Sequence, residues 1–304
     1  MIEVVHAGLC DLVMDQGRAG WCALGVPVGG AADPAALAAA NRLVGNAADA
    51  AGLEITLAGP ALRFPRGAVV ALAGARFSAS RSGGAAVRWH ETVVLAPCET
   101  LVLGRAEVGC RCWLAVSGGL AVPQVMGSRS TFLPAGFGGL DGRPLRRGDR
   151  LECGAVNAEL PLLRARPPGR QAVDLTLRVV AGPQIAQFDD GGLAALFGAA
   201  YQVAAASDRR GLRLQGPAVT HVRGELPSQG VLPGAVQVPP SGQPIILGWD
   251  GPVTGGYPVV AGIISADLAK LAQLRPGDTV RFTTIEAEAA RSLALDHWIV
   301  EEQG

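Results

Sequence analysis

The chain has 304 residues, 49% of them hydrophobic and 17% charged, with no formal net charge and with 42 glycines and 21 prolines. At roughly 150 residues per domain this length predicts about two domains, each able to bury a core, and the composition suits a turn-dense β protein rather than long disordered segments. Balanced charge without a basic stripe gives nucleic acid no electrostatic footprint, and no apolar run approaches the ~20 residues that span a bilayer.

The first twenty residues, MIEVVHAGLCDLVMDQGRAG, have neither a basic leader region nor a sustained apolar stretch, which predicts a cytoplasmic protein. Six cysteines, at 10, 22, 98, 110, 112 and 153, are then expected to stay reduced. Cys110 and Cys112 are spaced i, i+2 with no second pair nearby, so no metal is predicted. The histidines at 6, 90, 221 and 297 are scattered without ligand spacing, and no nucleophile-elbow signature is present.

In chain order, residues 2 to 5 read as a first strand and Asp15 to Gly20 as a loop. Asp33-Pro34 then opens an Ala-rich helix, Asp as N-cap and Pro at the first helical position, and the helix stops at Gly45-Asn46. A glycine-rich loop feeding a helix can hold a phosphate, but there is no phosphate-loop pattern and Asp33 would repel an anion. The pattern reads as a tight turn into a packing helix.

From Leu53 to Cys153 short strand-like runs recur about every ten residues, each bounded by Gly, Pro or Ser, which predicts a barrel or sandwich. Glu54 lies inside the first run and needs a partner if buried. Residues 127 to 139 read as a long loop in which Arg129 is open to a ligand or to a neighbouring backbone carbonyl. Residues 161 to 172, PLLRARPPGRQA, read as a linker between an N-terminal domain, 1–160, and a C-terminal one, 173–290, followed by a tail from 291. LRRGDRLEC at 145–153 and LRPGDTVRF at 274–282 echo one another.

The second half opens with a strand from Leu175 to Ala181 and an imperfect helical stripe from Gln184 to Ala200. Asp208-Arg209-Arg210-Gly211 reads as a polar turn, and Lys270, the only lysine, as a solvated residue on a short helix. Residues 228 to 267 carry short Val/Ile runs separated by Pro-Pro, Ser-Gly and Thr-Gly-Gly, which is strand-and-turn punctuation. Their turns hold Gln229, Gln237, Gln243, Asp250, Thr254 and Tyr257 beside glycines and prolines, where rigid backbone aims a polar side chain.

The run GVLPGAVQVPPSGQPIIL followed by TGGYP, with SDRRGLRLQGP at 207–217 and DQGRAGWCALGVPVGGAADPAAL near the start, resembles the family of the 5-oxoprolinase C subunit. That family is also called KipA or allophanate hydrolase subunit 2, and is similar to part of the carboxyltransferase region of urea carboxylases. The resemblance implies a mainly β chain of two barrel-like halves, cyclophilin-like at least in the second. It implies one component, inactive alone, of an ATP-dependent complex with A and B subunits (the latter KipI-like) that opens 5-oxo-L-proline to L-glutamate. ATP, with Mg, is then the cofactor and binds through the complex.

An unstrained lactam is a poor electrophile, and phosphorylating its carbonyl oxygen makes that oxygen a leaving group; the site must then meet an anion and satisfy a lactam N–H and C=O. On this reading Arg209, Gln237, Gln243 and Tyr257 are the catalytic candidates. Asp208, Gln229, Asp250, Thr254, Gly255, Gly256 and Arg129 are the substrate- or nucleotide-binding candidates. Many relatives carry a basic residue directly after the Tyr-Pro of TGGYP, where this chain has Val259. Two rivals follow: a non-biotinylated carboxyltransferase component acting on urea-like amides, and a KipA-like regulator that antagonises a kinase inhibitor. No lysine stands in an Ala-Met-Lys-Met-like context, so covalent biotin is not expected on this chain.

Overall fold

The structure, a computed structural model, describes residues 1–155, 161–167, 175–221, 226–293 and 298–302. It divides into two compact units. The first comprises Met1–Arg18, Gly29–Gln171 and His297–Gly304, and the second Ala19–Val28 and Ala172–Asp296.

The first unit contains β1 (Ile2–His6), β2 (Cys10–Met14), α1 (Pro34–Leu43), β3 (Gly52–Thr56), β4 (Ala61–Phe64), β5 (Ala68–Gly74), β6 (Phe77–Arg81), β7 (Thr92–Leu95), β8 (Glu99–Ala106), β9 (Arg111–Val116), β10 (Arg150–Leu151) and β11 (Leu163–Arg166). One five-stranded sheet runs β10-β1-β4-β8-β6 and the other β2-β3-β9-β5-β7. The spacing of about ten residues leaves barrel and sandwich open. The unit is barrel-like in enclosing one core, but it does so with two open sheets. Ile2, Val4, Phe64 and Leu101 from one sheet meet Val13, Leu53, Leu72 and Leu114 from the other in a single buried cluster, each fully buried side chain contributing about 1.5–3 kcal/mol.

The helix forms as predicted. The Asp33 side chain accepts from the Ala36 N–H at 3.0 Å, and Pro34 occupies the first turn. Ala36, Leu37, Ala40 and Leu43 are buried, small residues allowing close approach to β5 and β9. β2 is hard to see in the sequence because four of its five residues are buried, so it shows no polar alternation. β4 and β6 escape notice for want of length and of apolar content.

The stretch 161–172 is not all connector. Leu163–Arg166 is a strand paired antiparallel with Ile299–Glu302, a strand within the expected tail, while 168–172 lie outside the described residues. Arginines conceal that strand: Ala165 alone of its four residues is buried.

The second unit contains β12 (Thr176–Ala181), α2 (Asp190–Gly198), β13 (Tyr201–Val203), β14 (Gly211–Gln215), β15 (Gln229–Gly230), β16 (Ala235–Gln237), β17 (Ile245–Leu247), β18 (Thr254–Gly255), β19 (Val259–Ile263), α3 (Leu268–Leu271), β20 (Thr279–Thr284) and α4 (Ala287–Ser292). Seven of these strands close a barrel in the order β12-β19-β16-β17-β14-β13-β20, and β15 and β18 form a separate two-stranded sheet. Leu177, Val179, Tyr201, Val236, Ile246, Val260 and Phe282 fill the barrel.

The stripe from Gln184 to Ala200 is two pieces. A 3-10 turn, Ile185–Gln187, precedes α2, whose N-cap Asp189 accepts from the Gly192 N–H. Lys270 is tied rather than solvated: its Nζ donates to the Thr176 carbonyl at 2.9 Å and pairs with Asp267, which also holds Arg178. The echoed segments serve different topologies, since β10 pairs with β1 in an open sheet and β20 lies between β12 and β13 in the barrel.

Candidate functional site

On the barrel, Val236, Ile246 and Val260 point inward, so their neighbours Ala235, Gln237, Ile245, Leu247 and Val259 line the outer face. There Val231, Leu247 and Val259 form a second, small apolar cluster with Ala235 and Ile245. Val231 follows β15, so the β15–β18 pair lies over this outer face. Between the two layers are the carboxamides.

Gln237 is 4% exposed and its Nε2 donates to the Tyr257 carbonyl at 3.3 Å. A Cβ on Gly255 would lie 2.7 Å from that Nε2, so only glycine lets β18 come down on the amide without displacing it. Gln229 and Gly255 are register partners. Gln229 forms a reciprocal amide pair with Gln184: Gln184 Nε2 donates to Gln229 Oε1 at 2.8 Å and Gln229 Nε2 donates to Gln184 Oε1 at 2.9 Å. The Val259 N–H also donates to Gln184 Oε1, at 3.0 Å, which fixes which end of each amide is oxygen. Thr254 and Gly256 are exposed, and Tyr257 is 46% exposed beside them.

Arg209 and Asp250 form a second group, with Asp250 five residues upstream of Gly255. The guanidinium donates from Nε to Oδ2 at 2.8 Å and from Nη2 to Oδ1 at 3.0 Å, with the two side chains 7% and 1% exposed. The backbone sets this up: the Asp250 N–H donates to the Arg209 carbonyl and the Gly248 N–H to that of Arg210. Asp208 stays outside the ion pair. Its Oδ1 accepts from the Arg210 and Gly211 N–H groups and shapes the turn that presents Arg209.

The structure therefore brings together Gln229, Gln237, Gly255, Gly256, Thr254 and Tyr257 as one group, while Arg209, Asp250 and Asp208 form a separate one, linked to the first by residues 250–255 of the chain. Gln243 is not among them. Its carboxamide clamps the Gly216 backbone, accepting from the N–H at 3.0 Å and donating to the carbonyl at 3.1 Å, about 16 Å of extended chain from Gly248. Arg129 belongs to the first unit, where its Nε donates to the Val122 carbonyl at 2.9 Å and its N–H to Asp15 Oδ2. Of its two open roles, the geometry shows the backbone anchor.

Gln184 escapes the sequence reading because the helical stripe absorbs it. It stands after Gly182-Pro183 at a strand end, the same turn-plus-amide pattern that marks the other candidates, and that signal is sufficient to find it. Val259 is buried in the small apolar cluster, so this position offers no charge to a ligand. Glu54, in the first unit, is fully buried and partnered as its position requires: Oε2 accepts from the Ala32 N–H at 2.8 Å and from Trp113 Nε1 at 3.2 Å, and Oε1 lies 3.5 Å from Arg111 Nε. Among the described residues no group of three His, Cys, Asp or Glu side chains is placed to hold a metal ion. Nor is any described helix long and apolar enough to cross a membrane.

The sequence profile of the carboxyltransferase domain, subdomain A and B, matches residues 24–284. The chain is 39% identical to the C subunit of 5-oxoprolinase from Escherichia coli over all of its own length and 97% of that protein. It is 31% identical to urea amidolyase of Saccharomyces cerevisiae, covering 96% of this chain but 17% of that much longer protein. The crystal structure of the K. lactis urea amidolyase superposes with a TM-score of 0.88 at 32% identity, over 96% of this chain and 19% of that one. With its barrel, its covering strand pair and its full-length match in view, the chain belongs to the carboxyltransferase domain family, subdomain A and B, and within it to the family of the 5-oxoprolinase C subunit.

Proposed function

We propose that this chain is the C subunit of an ATP-dependent 5-oxoprolinase, converting 5-oxo-L-proline to L-glutamate together with its A and B partners in the cytoplasm. The observation that carries the reading is the full-length similarity to a protein of that name, joined to a cluster whose chemistry suits an amide substrate. Gln184 and Gln237 offer amide donors and acceptors, and Tyr257 offers a half-exposed phenol.

Within such a complex the residues of this chain bind and orient the lactam. Gln237, held by the Tyr257 carbonyl and covered by Gly255, is pre-aimed, so little rotamer freedom remains to be lost on binding. Arg209, oriented by two parallel hydrogen bonds from its guanidinium to Asp250, supplies positive charge for a carboxylate or a developing oxyanion. These residues do not by themselves fit a nucleotide: beside Arg209, which is held by Asp250, the described residues of the group include only Arg210 of the same turn as a further cation, too little charge for three phosphates. The triphosphate and its Mg are accordingly assigned to the complex.

A second reading is favoured by the superposition on urea amidolyase: a carboxyltransferase-type component for a urea-like amide, requiring biotin carried on another chain. One experiment separates the two. Purified A, B and C subunits are mixed with ATP and 5-oxoproline and glutamate is measured, omitting each component in turn. Glutamate that depends on all three supports the first reading, and its absence in the complete mixture removes it.

A further inference from the structure

The reciprocal pair of Gln184 and Gln229 has a meaning beyond packing, and the inference rests on the amide chemistry proposed above. Each carboxamide presents one N–H and one C=O side by side, and each satisfies the other's complement. The same complement is presented by any planar amide whose N–H and C=O lie on one side. Small-ring lactams and ureas have it; open-chain secondary amides, being trans, do not.

The two partners are not held equally. Gln184 is anchored: its backbone N–H donates to the Val259 carbonyl at 3.2 Å, and its Oε1 accepts from the Val259 N–H at 3.0 Å. The nearby Gly182 donates to the Val260 carbonyl at 2.9 Å and lies so close to β19 that a Cβ there would be 2.2 Å from the Val259 carbonyl oxygen. Gln229 sits instead on β15, held by two register pairs to the equally short β18.

We propose that Gln184 is the recognition group for a cis amide, a small lactam or a urea-type amide, and that Gln229 is an internal mimic which the ligand displaces. The ligand N–H donates to Gln184 Oε1, and its C=O accepts from Gln184 Nε2. The Val259 N–H, on the other lone pair of Oε1, keeps the Gln184 amide from flipping. Gln184 thus sets the substrate class, and Gln229 competes with the substrate.

The test is isothermal titration of the purified full chain with four probes: 2-pyrrolidinone, N-methyl-2-pyrrolidinone, trans N-methylacetamide and 2-iminopyrrolidine. The wild type is expected to bind 2-pyrrolidinone at least about tenfold tighter than the two amides that lack a cis N–H. Gln229→Ala removes the competitor and is expected to tighten lactam binding about fivefold, the opposite of what a structural role predicts. Gln184→Glu keeps the acceptor for Val259 but loses the donor, so preference is expected to switch from the lactam to the amidinium probe.

Equal binding of the N-methyl lactam, weaker or unchanged lactam binding in Gln229→Ala, or no saturable lactam binding in either protein overturns the proposal. The reconstituted 5-oxoprolinase assay reads the other claim separately. The titration pattern without glutamate formation leaves this inference standing and removes the proposed function, and glutamate formation without the pattern does the reverse.

Discussion

Arg209 and Asp250 meet through two parallel hydrogen bonds of 2.8 and 3.0 Å, with both side chains almost wholly out of solvent. Such a pair is costly to break and less costly to replace, because removing one partner strands a buried charge while removing both strands none. Asp250→Ala is therefore expected to lose about 3–5 kcal/mol in denaturant unfolding, and the double variant Arg209→Met with Asp250→Leu to recover most of it. If Arg209 also serves the substrate, the double variant folds yet turns over about 100-fold more slowly in the reconstituted complex. Unchanged turnover would make the pair purely structural.

Two glycines of the site are predicted to differ in tolerance. At Gly248 an added Cβ would lie 2.2 Å from the Arg209 backbone oxygen, which cannot move without the turn. At Gly255 it would meet the end of the flexible Gln237 side chain at 2.7 Å. Gly248→Ala is expected to cost more than about 2 kcal/mol, and Gly255→Ala less than about 1. Only the latter should leave a folded protein in which Gln237 has lost its bond to the Tyr257 carbonyl, visible as a raised KM for the amide.

Asp11 gives the first unit an inverted pH response. It shares a row across the sheet with Ile55 and Cys112, so its carboxyl faces the apolar core, where it is 1% exposed. Gly8 donates to Oδ2 at 2.6 Å, and Oδ1 has no hydrogen-bond partner among the described residues. Burial pushes its pKa up to about 6, against the smaller lowering by Gly8. The folded state therefore holds the proton more tightly than the unfolded chain. The stability this confers is fully present below about pH 4 and lost as pH rises through about 6. A shift of about two units corresponds to about 3 kcal/mol. Asp33, also raised to about 6 by burial, adds in the same direction. Asp11→Asn is expected to raise the midpoint of unfolding at pH 8 and to flatten the slope between pH 4 and 7.

Glu99 works in the opposite sense at lower pH. Arg81 donates to both of its oxygens, at 2.7 and 2.8 Å, and the Ala96 N–H donates at 2.8 Å. The Arg81 hydrogen bonds hold its pKa down to about 2, outweighing its desolvation. Its contribution is present above about pH 4.5 and lost as pH falls toward 2. Glu99→Gln is expected to remove that acid limb from a pH series of thermal unfolding while leaving the Asp11 slope intact.

Much of this architecture can be read from the residues wherever the local chemistry is unambiguous. Asp33-Pro34 announces α1, the Val/Ile runs after residue 228 announce the barrel strands, and the Gly- and Pro-flanked glutamines announce the carboxamide cluster. Concealment has physical causes. β2 carries buried residues on both faces, β11 is half arginine, and β15 and β18 are two residues long. Gln243 has the same composition cue as Gln229 and Gln237 but spends its amide on Gly216, and only the register of β14 against β17 reveals this. Arg129 and Arg209 look alike in sequence, yet one anchors a carbonyl and the other a carboxylate.

The first unit draws its pieces from both ends of the numbering: β1 is Ile2–His6, and the strand beside β11 is Ile299–Glu302. During synthesis β11 therefore meets residues 90–92 along one edge but gains the strand on its other edge only when translation has passed position 302. Severing the polypeptide near residue 167 would not yield two self-sufficient fragments; the earlier one would emerge with a raw strand border inviting association with other molecules.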